Sequence, residues 1–403
     1  MIYEKLFIGI DVSKLKHDIA IMNEDKILVL KTFVIKDDNA GYQYLLRIVN
    51  QLQEKYETKK FHIGLEATAD YWKNIYYFLK RQCQAFVLTV INPIRTKAFA
   101  KTELRRASTD PVAAKDIARF MVEKQPAPSP DREPIFDCIK DLDGQIYAVK
   151  KQQTMITNKL RIELTKVAPE IEKAVSYIKG QQILALLQSF PTAEAIENAS
   201  VEELTNIHYG KNNWSLPLKF IHKMKLLATD SIAYKTGPGA GYVVQSLVRR
   251  IIETQQEAEL LKQQMLEQYK LVNEHKSVLT SIPGISQQVA IVLEAYIGDV
   301  YRFPNAKKIV AYFGMNPTVD SSGTSKKRKG HLQKKGSGIV RHKLYMAILS
   351  VIRNKDGPIY EYYARLVEAG KPKLVAIGAA MRKLLVIIYN MLKNQQEFDP
   401  NKM

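Results

Sequence analysis

Residues 1 to about 125 alternate short apolar runs with amphipathic stretches in an order that few folds can accommodate. Lys5–Asp11, His17–Met22 and Ile27–Val34 read as three consecutive strands. Gly41–Tyr56 reads as a helix with Tyr42, Leu45, Leu46, Val49 and Leu52 on one face. Phe61–Glu66 is a strand, Asp70–Gln82 a helix, and Ala85–Ile91 a strand ended by Asn92-Pro93. A last helix runs from about Asp110 to Glu123, with Thr109 as its N-cap. Strands interleaved with helices in this way require an α/β layer structure.

Three strands, then helix–strand–helix–strand–helix, is the order of a ribonuclease-H-like domain. Within it, acids stand where chemistry can use them. Asp11 ends the apolar run Leu6–Ile10, Glu66 ends Phe61–Leu65, and Asp110 opens the last helix. A carboxylate that terminates a buried strand needs a partner, and Mg²⁺ prefers hard oxygen ligands. Two such ions about 4 Å apart can stabilise both the attacking and the leaving oxygen of a phosphodiester. Asp110 taken alone is equally explained as a complement to the helix dipole. Position 113, one turn after Asp110 and about 60° round the helix, faces the same way, but it holds alanine. Asp116 lies about 120° away on the same geometry and points elsewhere.

With 403 residues, the chain has room for two or three domains. Its formal charge of +19 implies a polyanionic partner, nucleic acid or an acidic membrane surface. No apolar run approaches the roughly 20 residues that span a bilayer, and the N-terminus leads straight into a strand without a cleavable signal pattern. Nucleic acid is therefore the expected partner, with no membrane. Cys83 and Cys138 lack metal-ligand spacing and are read as small core residues in a reducing cytosol.

A Pro-rich break at Gln125–Pro130 separates a domain over 1–125 from a helical, coiled-coil-like connector over 126–280. One apolar stripe runs through Ile139, Leu142, Ile146, Val149, Ile156, Leu160 and Leu164, another through Val244, Ile251, Ala258, Met265 and Val272. Those helices pair with each other or with another subunit, so a homo-oligomer, dimer or tetramer, is expected. Residues 171–240 carry mixed signals, and Gly237–Gly241 reads as a flexible joint. A mainly helical C-terminal domain, 281–403, begins at Ile282-Pro283-Gly284-Ile285, which reads either as a helix-hairpin-helix turn offering N–H groups to phosphate or as a tight turn between core helices.

Inside that last domain, Ser321-Ser322-Gly323 precedes a stretch without acids that carries Lys326, Lys327, Arg328, Lys329, Lys334, Lys335, Arg341 and Lys343. These cations are candidates for binding nucleic acid, and glycines among them let the backbone approach phosphate closely. A hydroxyl in such a field can attack a phosphodiester. The same residues describe a loop that holds nucleic acid with no covalent step.

Several blocks in order carry a family resemblance: Gly9-Ile10-Asp11-Val12-Ser13-Lys14, Leu65-Glu66-Ala67-Thr68, Thr109-Asp110-Pro111-Val112, Phe313-Gly314-Met315-Asn316-Pro317, Ser322-Gly323 and Arg341-His342-Lys343-Leu344-Tyr345. Together they resemble the DEDD transposases of the insertion-sequence one-ten family. The resemblance implies a RuvC-like N-terminal domain whose carboxylates, here Asp11, Glu66 and Asp110, bind Mg²⁺. It also implies a nucleophilic serine, matched by Ser322, that forms a transient phosphoserine link to DNA. A structured guide (bridge) RNA that pairs with target and donor double-stranded DNA would then set sequence choice, in the bacterial cytosol at the nucleoid. The family's fourth acid falls at Ala113. The chain is thus expected to be an Asp-to-Ala variant, engineered or natural, impaired in strand cleavage. The alternatives are a RuvC-like nuclease in which water attacks, and a non-catalytic nucleic-acid-binding protein.

Overall fold

The computed structural model describes residues 2–82, 85–102, 110–130, 134–237, 239–273, 276–317, 332–333 and 336–402. The chain forms two compact units, residues 1–131 and 132–403. The first contains β1 (Lys5–Val12), β2 (Lys16–Met22), β3 (Leu28–Lys36), α1 (Asn39–Tyr56), β4 (Lys60–Glu66), α2 (Trp72–Gln82), β5 (Phe86–Ile91), α3 (Pro93–Thr102) and α4 (Asp110–Lys124). The sheet order is β3-β2-β1-β4-β5. β1 pairs antiparallel with β2, and β2 with β3, while β1–β4 and β4–β5 are parallel. The element order expected from the apolar runs is therefore present, with strand ends shifted by a residue or two.

Period-two alternation divides each central strand between two layers. Leu6, Ile8 and Ile10 face a core shared with Leu45 and Val49 of α1 and Ile75 and Leu79 of α2. On α1, Ile48 is buried with Tyr42, Leu45, Val49 and Leu52, whereas Leu46 is only half-buried. The opposite face of the sheet is covered by α4. Phe7 and Ile91 meet Ile117, Phe120 and Met121 there, and Ala20 meets Ala114 and Ala118. Gly9 makes this layer possible. A Cβ on it would lie 2.2 Å from the Ala114 carbonyl oxygen and 2.3 Å from the Ala118 nitrogen, so the backbone of α4 rests on the strand itself.

One element escaped the sequence reading. Asn92-Pro93 ends β5 but also begins α3: the Asn92 side-chain oxygen accepts from the Ile94 N–H at 2.9 Å. Proline at the first helical position after an asparagine cap is a start signal. Thr109, expected as the cap of α4, lies outside the described residues, as does Cys83.

In the second unit, α5 (Pro134–Val167) is followed by α6 (Pro169–Ala174), α7 (Gln181–Ser189), α8 (Ala193–Asn198), α9 (Val201–Thr205), the hairpin β6 (His208–Tyr209) and β7 (Trp214–Ser215), α10 (Leu218–Thr229) and α11 (Tyr242–Lys270). After these come α12 (Gln287–Ile297), α13 (Ala306–Tyr312), α14 (Gly338–Asn354), α15 (Pro358–Glu368) and α16 (Lys373–Asn394). The two apolar stripes pair within the chain. Ile156, Leu160 and Leu164 of α5 share one core with Val244, Leu247, Val248 and Ile251 of α11. Ile139 and Ile146 share another with Met265, Tyr269 and residues of α12. Intramolecular burial thus takes up most of the two stripes, with Val272 left exposed beyond the end of α11.

The segment of mixed signals, 171–240, folds as short helices and a hairpin around the first of these cores. Its glycine joint is closely packed at one end, since a Cβ on Gly241 would lie 2.1 Å from Pro191 Cγ. Cys138 is exposed rather than a core residue, because it follows the buried Asp137 on the outer side of α5. The Ile282–Ile285 turn joins a 3-10 turn, Val278–Ser281, to α12 and packs on α14 near Ala347 and Val351. Ile282 and Ile285 are buried there, while Pro283 and Gly284 at the tip stay exposed. By length and mean hydropathy of 1.6, α16 could cross a membrane, contrary to the expectation that no such run exists. Its Ala376, Ala380, Leu384, Leu385 and Ile388 are instead buried in the C-terminal core.

Candidate active site

The strand registers bring three carboxylates into one row. Asp11 lies directly opposite Asp18 in the antiparallel β1–β2 ladder. On the other flank, Ile10 pairs with Leu65 in the parallel β1–β4 ladder, which puts Glu66 level with Asp11. Adjacent strands run about 4.8 Å apart, and residues two apart share a face. Asp11, Asp18 and Glu66 therefore follow Gly9, Ala20 and Gly64 on the face that α4 covers. Because α4 starts with Asp110, its first turn stands at the same end of the sheet. Strand pairing and one glycine contact place all four acids.

Contacts confirm the convergence. Lys16 Nζ lies 3.3 Å from Asp110 Oδ2 and 3.7 Å from Asp18 Oδ2, and its pKa is raised, first by the hydrogen bond to Asp110. Glu66 is held from α3, where Thr96 Oγ1 donates to its Oε2 at 3.0 Å, and Thr68 Oγ1 lies 3.5 Å from Oε1. Asp11 is pushed up to about 7, first by burial and then by the negative charges of Glu66, Asp110 and Asp18. Burial raises Asp18 also, with Lys16 opposing and Asp110 reinforcing the shift. Asp116 is buried and lies 3.8 Å from Arg119.

This donor set has the chemistry of a divalent-cation site: hard oxygens, close enough to raise one another's proton affinity. It is not assembled as a ligand shell. Among the described residues, no three His, Cys, Asp or Glu side chains are arranged to hold a metal ion. An ammonium, Lys16, is the cation that the acids hold instead. A folded-state pKa above the unfolded value means that the native state binds the extra proton between about 4 and 7, so stability falls as pH rises through that window. The melting temperature, measured from pH 5 to 8 without divalent ions, is expected to decline more steeply for this protein than for its Asp11→Asn variant. Equal slopes would show that Asp11 is not held protonated.

Sequence reasoning missed Asp18, Lys16 and Thr96. Asp18 had left a signal: it is a charged residue inside the apolar strand Ile19–Met22, on the hairpin that returns beside Asp11. Thr96 could not be found without α3. In the second unit, Ser321, Ser322, Lys326, Lys327, Arg328, Lys329, Lys334 and Lys335 lie outside the described residues. Arg341 is described: its Nη1 donates to the carbonyls of Phe313 and Gly336, each at 3.1 Å. Lys343, expected to face nucleic acid, is paired at 2.6 Å with the buried Asp143 of α5, so its charge is committed within the fold.

Comparison with known families bears on both ends of the chain. A model of DEDD transposases of the IS110 type matches residues 8–169, which include Asp11, Glu66 and Asp110. A second, for the transposase IS116/IS110/IS902 family, matches residues 276–364. The chain is a transposase of the IS110/IS116 family. The transposase is 22% identical over 395 residues to the pilin gene-inverting protein of Moraxella bovis, covering 98% of each chain. It is 19% identical over 410 residues to an insertion element IS116 protein of Streptomyces clavuligerus, covering 99% of this chain and 97% of that one. With the transposase for insertion sequence element IS1111A of Coxiella burnetii, it shares 26% identity over 129 residues, 31% of this chain and 35% of that one.

Proposed function

We propose that the transposase cuts and rejoins DNA with a RuvC-like, Mg²⁺-dependent carboxylate site and a serine nucleophile, guided by a structured RNA. The observation that carries this reading is the convergence of Asp11, Glu66 and Asp110 at one end of a mixed sheet of order β3-β2-β1-β4-β5. Asp11 and Glu66 would hold the metal from adjacent strand ends, with Asp110 reaching it from α4. Bound there, Mg²⁺ would polarise the scissile phosphate and lower the cost of developing charge. Thr96 keeps Glu66 aimed into the site, and partial burial raises the proton affinity of Asp11.

Ser322 would supply the oxygen that attacks phosphorus. Its proton must leave and the strand's leaving oxygen must be protonated, so a phosphoserine bond forms as a phosphodiester bond breaks. Rejoining reverses these transfers. A relative named for inverting a pilin gene suits a protein that reseals strands as well as cutting them. The +19 charge suits one that holds RNA together with target and donor duplexes. Function in the bacterial cytosol, at the nucleoid and as a dimer or tetramer, completes the proposal. Ala113, in the place of a fourth acid, would leave the chain impaired as written.

Alanine at position 113 is the observation that favours a second reading, a protein that binds nucleic acid without cutting it. One experiment separates the two. The protein is purified with its bound nucleic acid, which is sequenced, and is then incubated with Mg²⁺ and DNA bearing the element's ends, in its present form and with Ala113→Asp. A defined RNA, together with a protein–DNA adduct that disappears in Ser322→Ala, is expected. Cleavage without an adduct would leave water as the nucleophile, and neither cleavage nor adduct in either protein would leave only binding.

A further inference from the structure

The row at the end of the sheet has a member that the three acids of the proposed site do not include. Asp18 sits directly across from Asp11, is only 3% exposed, and lies on the α4-covered face by the same alternation that puts Ala20 against Ala114 and Ala118. Like charges directly opposite one another on neighbouring strands destabilise a sheet, and a buried carboxylate beside a second one adds to that cost. A fold that keeps both relieves that cost with a proton on one of them or with a cation beside them. A cation is already there, since Lys16 Nζ bridges Asp18 and Asp110. Lys16 is half exposed, and its side chain reaches back over the row from the edge of β2. Such an ammonium can swing out to solvent and leave its two carboxylates facing whatever cation replaces it.

We propose that Asp18 is a metal-binding carboxylate of the transposase site, flanking Asp11 on the side opposite Glu66, and that Lys16 is the resident cation a divalent ion displaces. This deepens the proposed function and rests on its metal site. The row Glu66–Asp11–Asp18 spans three adjacent strands, two gaps of about 4.8 Å each. That is room for two cation positions that share Asp11, in line with the roughly 4 Å separation of two-ion phosphodiester chemistry. Asp110 stands over the Asp18 side of the row, as its contact with Lys16 shows. In a chain with Ala113, Asp18 is then the acid that partners Asp110.

Mn²⁺ serves as the probe, with binding followed by the electron paramagnetic resonance of the free ion, so that the readout does not depend on turnover. Asp18→Asn is expected to weaken Mn²⁺ binding about tenfold or more, and Lys16→Met to tighten it by removing the competing charge. Melting temperature without metal is recorded for each variant. Asp18→Asn keeps the shape and removes one buried charge, so it is expected to melt no lower than the parent protein. Unchanged Mn²⁺ affinity in Asp18→Asn, with affinity lost in Asp11→Asn, would overturn this assignment and leave the proposed function standing. Affinity unchanged in Asp11→Asn as well would defeat the underlying metal site. A lower metal-free melting temperature in Asp18→Asn, with full Mn²⁺ affinity, would mark Asp18 as a structural partner of Lys16 alone.

Discussion

Substituting aspartate for Ala113 is expected to raise Mg²⁺-dependent DNA cleavage by this transposase at least ~100-fold. Disturbing groups that merely support a metal's ligands costs about 10- to 100-fold in affinity or activity, so a directly ligating carboxylate should be worth no less. The geometry that makes position 113 the right one is helical. Asp110 opens α4, and a residue three positions on projects from the same side about one turn along. The next residue, Ala114, has its carbonyl against Gly9, so this turn of α4 is pinned to β1 two residues before Asp11. A carboxylate at 113 cannot point far from the row of acids. It would also add a negative charge beside Asp11, already pushed up to about 7 by burial and then by its acidic neighbours, and so make the metal-free site costlier and the cation more strongly drawn. Cleavage rates of the two proteins, measured at several Mg²⁺ concentrations, test both points. Identical rates at saturating Mg²⁺ would show that the fourth acid of the site is not at 113, and an unshifted Mg²⁺ dependence would show that no ligand was added.

Asp11 and Glu66 were legible in the sequence because each ends an apolar run, and runs of that kind fix strand ends to within a residue or two. Asp110 was marked only by the start of a helix. Asp18 was not legible, because its role depends on register. A strand reading says that His17–Met22 is buried, but only the pairing of Asp11 with Asp18 says which neighbour a given side chain meets. Thr96 was hidden for a different reason: Asn92-Pro93 serves as the end of one element and the start of the next, and only its first meaning was read. The apolar stripes on α5 and α11 posed a third problem. A heptad pattern specifies that a face is buried and is silent about the partner, which proved to be the other helix of the same chain. Lys343 shows the limit for charges. A cation in a basic stretch reads as a phosphate contact until the fold supplies Asp143, distant in sequence, 2.6 Å from its ammonium.

Adding a single methyl group to the first unit is expected to undo it. In Gly9→Ala, the new Cβ would stand 2.2 Å from the Ala114 carbonyl oxygen and 2.3 Å from the Ala118 nitrogen, far inside contact distance and against helix backbone that has no rotamer by which to yield. Either α4 lifts from the sheet, exposing Ile117, Phe120 and Met121, or β1 leaves its register between β2 and β4. Overpacking in a core with side chains free to adjust costs about 1–3 kcal/mol. Without that freedom, the loss is expected to exceed about 4 kcal/mol, among the exceptional values for single substitutions, and to lower the melting temperature of this unit by more than ~10 °C. Gly64→Ala, one strand over in the same row, is the control. There the nearest atoms are Met121 Cγ at 2.7 Å and Sδ at 2.9 Å, the movable end of a flexible side chain, so a loss of about 1 kcal/mol is expected. Calorimetry of the two variants compares them directly. Should Gly9→Ala melt within a few degrees of the parent, α4 does not rest on β1. Asp110 would then be held over the row of acids by its ion pair with Lys16 rather than by the seat of α4 on the strand.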